Sequence, residues 1–159
     1  MNSYVIKARE ALVNACKYYC EYSLVNHVKN ENKFFKENNR KLDFRKINFA
    51  KWIRVYNRLK KDALEFKSSL IASPSEIIES ISLYKEFIKF IDLDIDLIDE
   101  YIEFCLIWKV KVRVGSSNQT EYQSSLDKIG NFDGNLDIDL RMLECSYELE
   151  ILAIRRESE

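Results

Sequence analysis

The sequence predicts an all-α fold: a helical bundle of about five helices forming a single helical domain over residues 1–159. Three observations support this prediction. With 159 residues, the chain is long enough for one domain with a sizeable core. It contains one proline and three glycines, whereas all-β domains need many tight turns built from these residues. Apolar residues also recur at helical spacing along much of the chain.

The first half of the chain contains two predicted helices separated by a polar segment. Apolar residues return every three or four positions over 4–28, which predicts the first helix. Residues 29–46 are rich in Asn, Lys and Arg and are expected to be a polar basic loop or irregular segment, with a short frayed helix as the alternative. The clearest amphipathic helix spans about 48–71. The run SPSE at 73–76 combines a hydroxyl cap, a first-turn proline and a glutamate, and therefore predicts that a helix at 74–91 begins there.

Short polar and glycine-containing motifs predict breaks in the second half, and the first glycine of these, Gly115, is expected to begin a turn or loop that extends to Gln119. Asp92-Leu93-Asp94 is expected to connect two helices, with Asp94 capping the second of them. A short helix is expected to stop at Gly130, and Asp133-Gly134 predicts a turn.

The segment 109–140 is the hardest to assign. Residues 109–114 alternate charged and β-branched side chains, which is typical of a strand, although they could also extend the preceding helix. Residues 136–142 alternate too, yet they also fit a closing helix. A small C-terminal β-hairpin that pairs these two stretches is therefore the α+β alternative to the all-α bundle.

Charge is strongly segregated along the chain, although the net charge is only −1. Residues 29–67 hold 13 Lys/Arg and 5 Asp/Glu, whereas residues 68–108 hold 2 Lys/Arg and 9 Asp/Glu. This separation predicts one basic and one acidic surface.

The basic block is interpreted as a surface for a polyanion such as a nucleic acid, because its cations share the polar side of the helix at 48–71. The alternative is a solvated face, with Arg58 paired to Asp62 and Lys61 paired to Glu65. The basic and acidic helices could also neutralise each other within the fold. The candidate nucleic-acid-binding residues are Lys51, Arg54, Arg58, Lys61, Arg45, Lys46, Lys41 and Arg40.

The acidic block is interpreted as a surface for a partner, either a basic protein or a second copy of the chain. The alternative is that these carboxylates serve solubility alone. The candidate partner-binding residues are Asp92, Asp94, Asp96, Asp99, Glu100 and Glu103.

No motif in the sequence predicts catalysis, a metal site or a cofactor. His27 is the one histidine, and its place at the end of the first predicted helix favours a capping role. Cys16 and Cys20 share a helical face but lack the second pair that a structural zinc site needs. Acidic residues at 92–103 match the spacing of a calcium loop, except that Leu97 replaces the required glycine. Glycine-rich phosphate loops and nucleophile motifs are absent from the sequence.

These features favour a non-catalytic accessory protein of a larger assembly, with a nucleoprotein as one option. The basic face at about 51–61 would contact the polyanion, and the acidic helices would contact a partner. The first alternative is a protein-binding inhibitor or adaptor that uses residues 92–103, and the second is a small enzyme. We expect a protein partner or self-association and a cytoplasmic location, with no membrane span and no small-molecule substrate.

Overall fold

The computed structural model describes residues 3–39, 42–72, 79, 81–115 and 118–158. These residues are helical apart from short connections and form no strand, which confirms the all-α prediction. The first three elements follow one another without a break, so the described ranges form four long rods rather than five helices. The elements are α1 (Ser3–Tyr18), a π-helical turn (Tyr19–Ser23), α2 (Leu24–Glu37), a 3-10 turn (Phe44–Lys46), α3 (Phe49–Ala72), α4 (Ser82–Val114) and α5 (Gln119–Ser158).

Helix α4 is the centre of the packing, because it contacts both α3 and α5 while α1 packs against α5. Aromatic side chains fill the interior between these helices. The ring of Phe34 meets the rings of Trp52 and Tyr101 edge-on. Tyr56 stacks on Tyr101 with ring centroids 4.6 Å apart. Such pairs add to the free energy gained by burial, so α2, α3 and α4 are tied together through one cluster.

The prediction of an irregular segment over 29–46 is wrong for its first half, because α2 continues to Glu37. Glu31 and Phe34 are buried in this stretch, so its inward face belongs to the core despite its polar composition. Asn38 ends the helix by donating its backbone and side-chain N–H groups to the Phe34 carbonyl. The Tyr122 hydroxyl donates to the Asn38 side-chain oxygen and so fixes this end against α5.

The connection predicted at 92–94 and the strand predicted at 109–114 both lie within α4. Asp94 faces the interior at helical spacing from buried Ile91 and Ile98, so it cannot cap a helix. The stretch 109–114 stays helical because the helix continues until Gly115. That glycine adopts a left-handed conformation, with φ of 74°, and donates its N–H to the Lys111 carbonyl.

Residues 136–142 are also helical, so the β-hairpin prediction is wrong. Helix α5 continues through Gly130 and through the turn predicted at 133–134. Its buried residues recur at helical spacing, which outweighs the local preference of the glycines for turns. They are Tyr122, Leu126, Ile129, Leu136, Leu143 and Ile154.

The SPSE motif at 73–76 lies outside the described residues, and the described helix after it begins at Ser82. Within the described ranges, every helix is too short or too polar to cross a lipid bilayer.

Candidate functional site

A cleft of about 410 Å³ opens between the π-helical turn and α3, and α4 forms its floor. The turn and the start of α2 make one wall, and the second half of α3 makes the other. A π-helical turn widens the helix by one residue, and such turns are frequent at functional sites. The cleft is therefore a candidate ligand-binding site.

Four polar side chains form a buried network beneath this cleft. His27 Nδ1 lies 2.5 Å from Asp94 Oδ1. The Tyr19 hydroxyl donates a hydrogen bond to the other carboxylate oxygen of Asp94. On the opposite side of the ring, His27 Nε2 lies 2.8 Å from Glu31 Oε1. This last contact is an ion pair without hydrogen-bond alignment.

The two carboxylates keep His27 protonated. Burial alone lowers the pKa of an imidazolium, because an apolar interior disfavours its charge. The contacts with Asp94 and Glu31 outweigh burial and raise the pKa of His27 to about 10. Burial and the Asp94 carboxylate raise the pKa of Tyr19, so its hydroxyl remains a donor.

This arrangement suits electrostatics better than proton transfer. A protonated imidazole has no free lone pair, so His27 cannot act as a general base at neutral pH. The network carries one positive charge against the two carboxylates of Asp94 and Glu31.

Aromatic and acidic residues line the mouth of the cleft. Tyr18 and Tyr22 are 53% and 62% exposed, and their ring centroids lie 5.0 Å apart. Across from them, α3 contributes the exposed residues Asp62 and Glu65. The mouth thus combines aromatic rings with carboxylates.

Of the four candidate basic residues on α3, two lie near a carboxylate, namely Lys51 and Lys61. Lys51 Nζ lies 2.6 Å from Glu37 Oε1 and 4.8 Å from the centroid of the Trp52 ring. Lys61 Nζ lies 4.0 Å from Glu65 Oε1. Arg54 and Arg58 are exposed, and within the described part of the chain they have no carboxylate at ion-pair distance. The Arg58–Asp62 pair considered above does not form.

The other predicted basic residues belong to the connection between α2 and α3. Arg45 is exposed and pairs with Asp43 at 3.0 Å, and Lys46 is exposed beside it. Arg40 and Lys41 lie outside the described residues.

The predicted acidic residues divide into three groups. Asp94 is buried in the network with His27, so the expectation that it contacts a partner is corrected. Asp92 and Asp99 are half-buried and neutralise α3, through Lys67 at 2.5 Å and Lys60 at 2.7 Å. The basic and acidic helices therefore partly satisfy each other. The exposed remainder consists of Asp96, Glu100 and Glu103.

Sequence reasoning missed Tyr19 and Glu31, and it misplaced His27 at a helix end. The expected irregular segment after residue 28 concealed the helical continuation. One signal was available: His27 and Glu31 are four residues apart and share a helical face with Phe34. Asp94 could not be assigned as their partner, because it lies 67 positions from His27 in the sequence.

The cysteines are free thiols. Cys16 and Cys105 are buried, whereas Cys20 is half-buried and Cys145 is exposed. Within the described ranges, no group of three or more His, Cys, Asp or Glu side chains is arranged to hold a metal ion.

Comparisons with protein-family models, with curated proteins and with solved structures gave no match to this chain.

Proposed function

We propose that the protein is a non-catalytic accessory protein that binds a basic partner protein through the outer face of α4. This proposal assigns the partner contact to the surface where exposed acidic and apolar side chains meet. It retains the acidic partner surface that the sequence predicts, but it places the centre of that surface closer to the C-terminal half of α4.

A single stripe of exposed residues on α4 carries the proposal. Its members alternate at steps of four and three residues, so they share one helical face. The first half of the stripe is acidic and the second half is apolar. Its apolar members are 43–68% exposed, although a helix with one buried face normally presents polar residues to water. The stripe consists of Asp96, Glu100, Glu103, Ile107, Val110 and Val114.

A groove beside the stripe supports the same assignment. It measures about 430 Å³ and lies between α4 and α5. Glu100 and Glu103 line one side, and Phe104, Ile107 and Trp108 supply apolar surface. Exposed apolar patches mark interaction surfaces, and carboxylates at their edge select partners of opposite charge. An amphipathic, basic segment of a partner protein matches this combination.

A polyanion is a second candidate partner, because Arg54 and Arg58 are exposed without a paired carboxylate in the described ranges. Lys51 near the start of α3 contacts Glu37 at the end of α2. Helix α2 carries further exposed lysines, which add to the positive charge of this part of the chain; they are Lys29, Lys33 and Lys36.

Such a surface suits phosphate contacts rather than base stacking. Five of the seven aromatic residues in the basic block 29–67 are buried, and Phe35 and Phe66 are half-buried, so few ring faces are open to bases. Binding through this surface would depend on salt and would show little sequence preference.

The test of the primary proposal uses the full chain with a photo-crosslinking residue at Val110, in cells of its source. We expect one basic protein to be crosslinked to the wild-type chain. In the double variant Glu100→Lys/Glu103→Lys, the yield of this crosslink should fall at least tenfold, which is about the effect of reversing two contact charges. The matched control is Glu10→Lys/Glu148→Lys, which makes the same charge change at exposed residues of α1 and α5. Equal crosslinking by both variants would contradict the proposal.

The polyanion candidate is tested separately with fluorescent double- and single-stranded oligonucleotides at two salt concentrations. Arg54→Glu/Arg58→Glu should abolish salt-sensitive binding, whereas Arg155→Glu/Arg156→Glu should retain most of it. Absence of binding by the wild-type chain at low salt would remove this candidate.

A further inference from the structure

We propose that the cleft between the π-helical turn and α3 binds an organic ammonium ion, carried by a free amine or by a lysine side chain. This site is distinct from the α4 stripe and from the basic face of α3, so it does not depend on the function proposed above.

Aromatic rings at the mouth provide the first requirement for binding such a cation. The rings of Tyr18 and Phe66 are nearly parallel, at 6° with centroids 6.2 Å apart. Tyr22 lies beside Tyr18 at 5.0 Å and at an angle of 33°. All three residues line the cleft. The face of an aromatic ring carries partial negative charge, so clustered rings attract quaternary and alkylated ammonium groups.

The π-helical turn explains why these tyrosines are available. Tyr19 belongs to the same segment but is fully buried, where its ring contacts Phe66, Phe87 and Phe90. The widened turn therefore places one tyrosine in the core while Tyr18 and Tyr22 on either side of it stay at the cleft. More than half of each of these two side chains is exposed to solvent.

Negative charge at the mouth provides the second requirement. Asp62 and Glu65 line the cleft from α3, whereas Asp94 lies at its floor in contact with the protonated His27. His27 is the one cationic side chain among the described lining residues, and it is already shared between Asp94 and Glu31. Lys61 approaches Glu65 only to 4.0 Å, with both side chains largely exposed, so solvent screens this pair.

The size and remaining polar groups of the cleft fit a small cation. Its volume of about 410 Å³ lies in the lower range of small-molecule sites. Ser23, Asn26 and Ser69 line it and offer oxygen acceptors for ammonium N–H groups. An anionic ligand would instead face the carboxylates of Asp62 and Glu65, so the arrangement selects against phosphates and carboxylic acids.

Isothermal titration calorimetry of the full chain at low salt tests the proposal. The probes are 1,4-diaminobutane, choline and Nα-acetyl-lysine amide, with butyrate as the anionic control. We expect saturable binding of at least one ammonium probe, weakened by added salt, and no binding of butyrate. Tighter binding of the lysine derivative identifies a lysine side chain as the source, tighter binding of diaminobutane identifies a free amine, and tighter binding of choline identifies a small quaternary ammonium ion. No saturable binding of any ammonium probe up to about 10 mM would overturn the proposal.

Variants of exposed residues locate the binding in the cleft without disturbing the core. Tyr22→Ala should weaken binding about three- to thirtyfold, whereas Tyr22→Phe should retain it because the ring remains. Asp62→Asn should weaken binding by a similar factor, whereas Asp96→Asn makes the same change on the outer face of α4 and should have little effect. Circular dichroism verifies that each variant is folded. Wild-type affinity in both Tyr22→Ala and Asp62→Asn would overturn the assignment.

Discussion

His27 and Asp94 form a buried ion pair, with Nδ1 and Oδ1 2.5 Å apart, that joins α2 to α4. Tyr19 and Glu31 complete the contacts of this pair from the same rod as His27. Further contacts of the two charged groups help to offset the cost of burying them; Tyr19 supplies a hydrogen bond to Asp94, and Glu31 forms an ion pair with His27. The pair therefore fixes how the first rod packs against α4 and, with it, the position of the cleft.

The free energy of unfolding should fall as the pH rises above about 6.5. His27 has a pKa of about 10 in the folded chain and 6.5 when unperturbed. Below pH 6.5 both states hold the proton, and the stabilising contribution is fully present. Between these values only the folded state holds it, so stability falls by about 1.4 kcal/mol per pH unit. Urea unfolding at pH 5.5 to 8.5 measures this slope, and the part below about pH 7.5 precedes the titration of thiols and tyrosines in the unfolded chain.

His27→Gln is the control, because it removes the titrating group and should remove the slope. If this variant does not fold, Asp94→Asn serves instead. Loss of the Asp94 charge lowers the pKa of His27, so the slope should end at a lower pH. A wild-type unfolding free energy that is flat between pH 6.5 and 8.5 would contradict the assignment of a protonated His27.

Local periodicity was enough to predict α3, because Trp52, Tyr56 and Leu59 recur at helical spacing and are all buried. Periodicity also predicted most of α1 and the apolar face of α4. Periodicity failed where a helix carries polar residues on its inward face: Glu31 in α2 and Asp94 in α4 were assigned to a loop and a connection.

The candidate site was beyond sequence reasoning because its parts meet only through tertiary packing. Lys60 and Asp99 illustrate the same limit, since the sequence allowed the two charged blocks to neutralise each other but could not give the pairing. Likewise, the packing of α3 decides whether a carboxylate lies close enough to pair with Arg54 or Arg58. The segregated charge of the sequence therefore predicted a basic and an acidic surface, but it overestimated how many charged residues on each surface are unpaired.

Two asparagines cap the starts of helices α3 and α5. The Asn48 side-chain oxygen accepts the backbone N–H of Lys51 at 3.0 Å, and that of Asn118 accepts the N–H of Glu121 at 2.9 Å. Each bond satisfies an amide that lacks a partner within its own helix. Asn48→Ala and Asn118→Ala should each lower the free energy of unfolding by about 1 kcal/mol, measured by urea denaturation.

Aspartate variants at the same two positions provide the matched control for the caps. Aspartate also accepts hydrogen bonds at a helix start, so Asn48→Asp and Asn118→Asp should retain most of the stability. Equal losses in the alanine and aspartate variants would mean that the side chains act through packing rather than through capping.

One thiol should react quickly with an aromatic disulfide reagent in the native chain. Cys145 is exposed on α5, whereas Cys16 and Cys105 are buried. Burial also raises the pKa of Cys105 to about 12, which leaves almost none of the reactive thiolate at neutral pH. Cys145→Ser should therefore remove the fast phase, while denaturation should release all four thiols. A fast phase that persists in Cys145→Ser would place another cysteine at the surface.

Gly130→Ala should stabilise the chain, because the residue lies within α5 rather than at the helix end that glycine usually marks. A Cβ atom built at this position meets no atom within 4 Å, so the methyl group fits without displacing a neighbour. Alanine lowers the entropy of the unfolded chain and favours the helix, which predicts a gain of about 1 kcal/mol in urea unfolding. Gly115→Ala is the opposing control, because its φ of 74° strains any residue with a side chain. It should lower the free energy of unfolding. If Gly130→Ala were as destabilising as Gly115→Ala, the helix would have to break at residue 130, and α5 would be two helices rather than one.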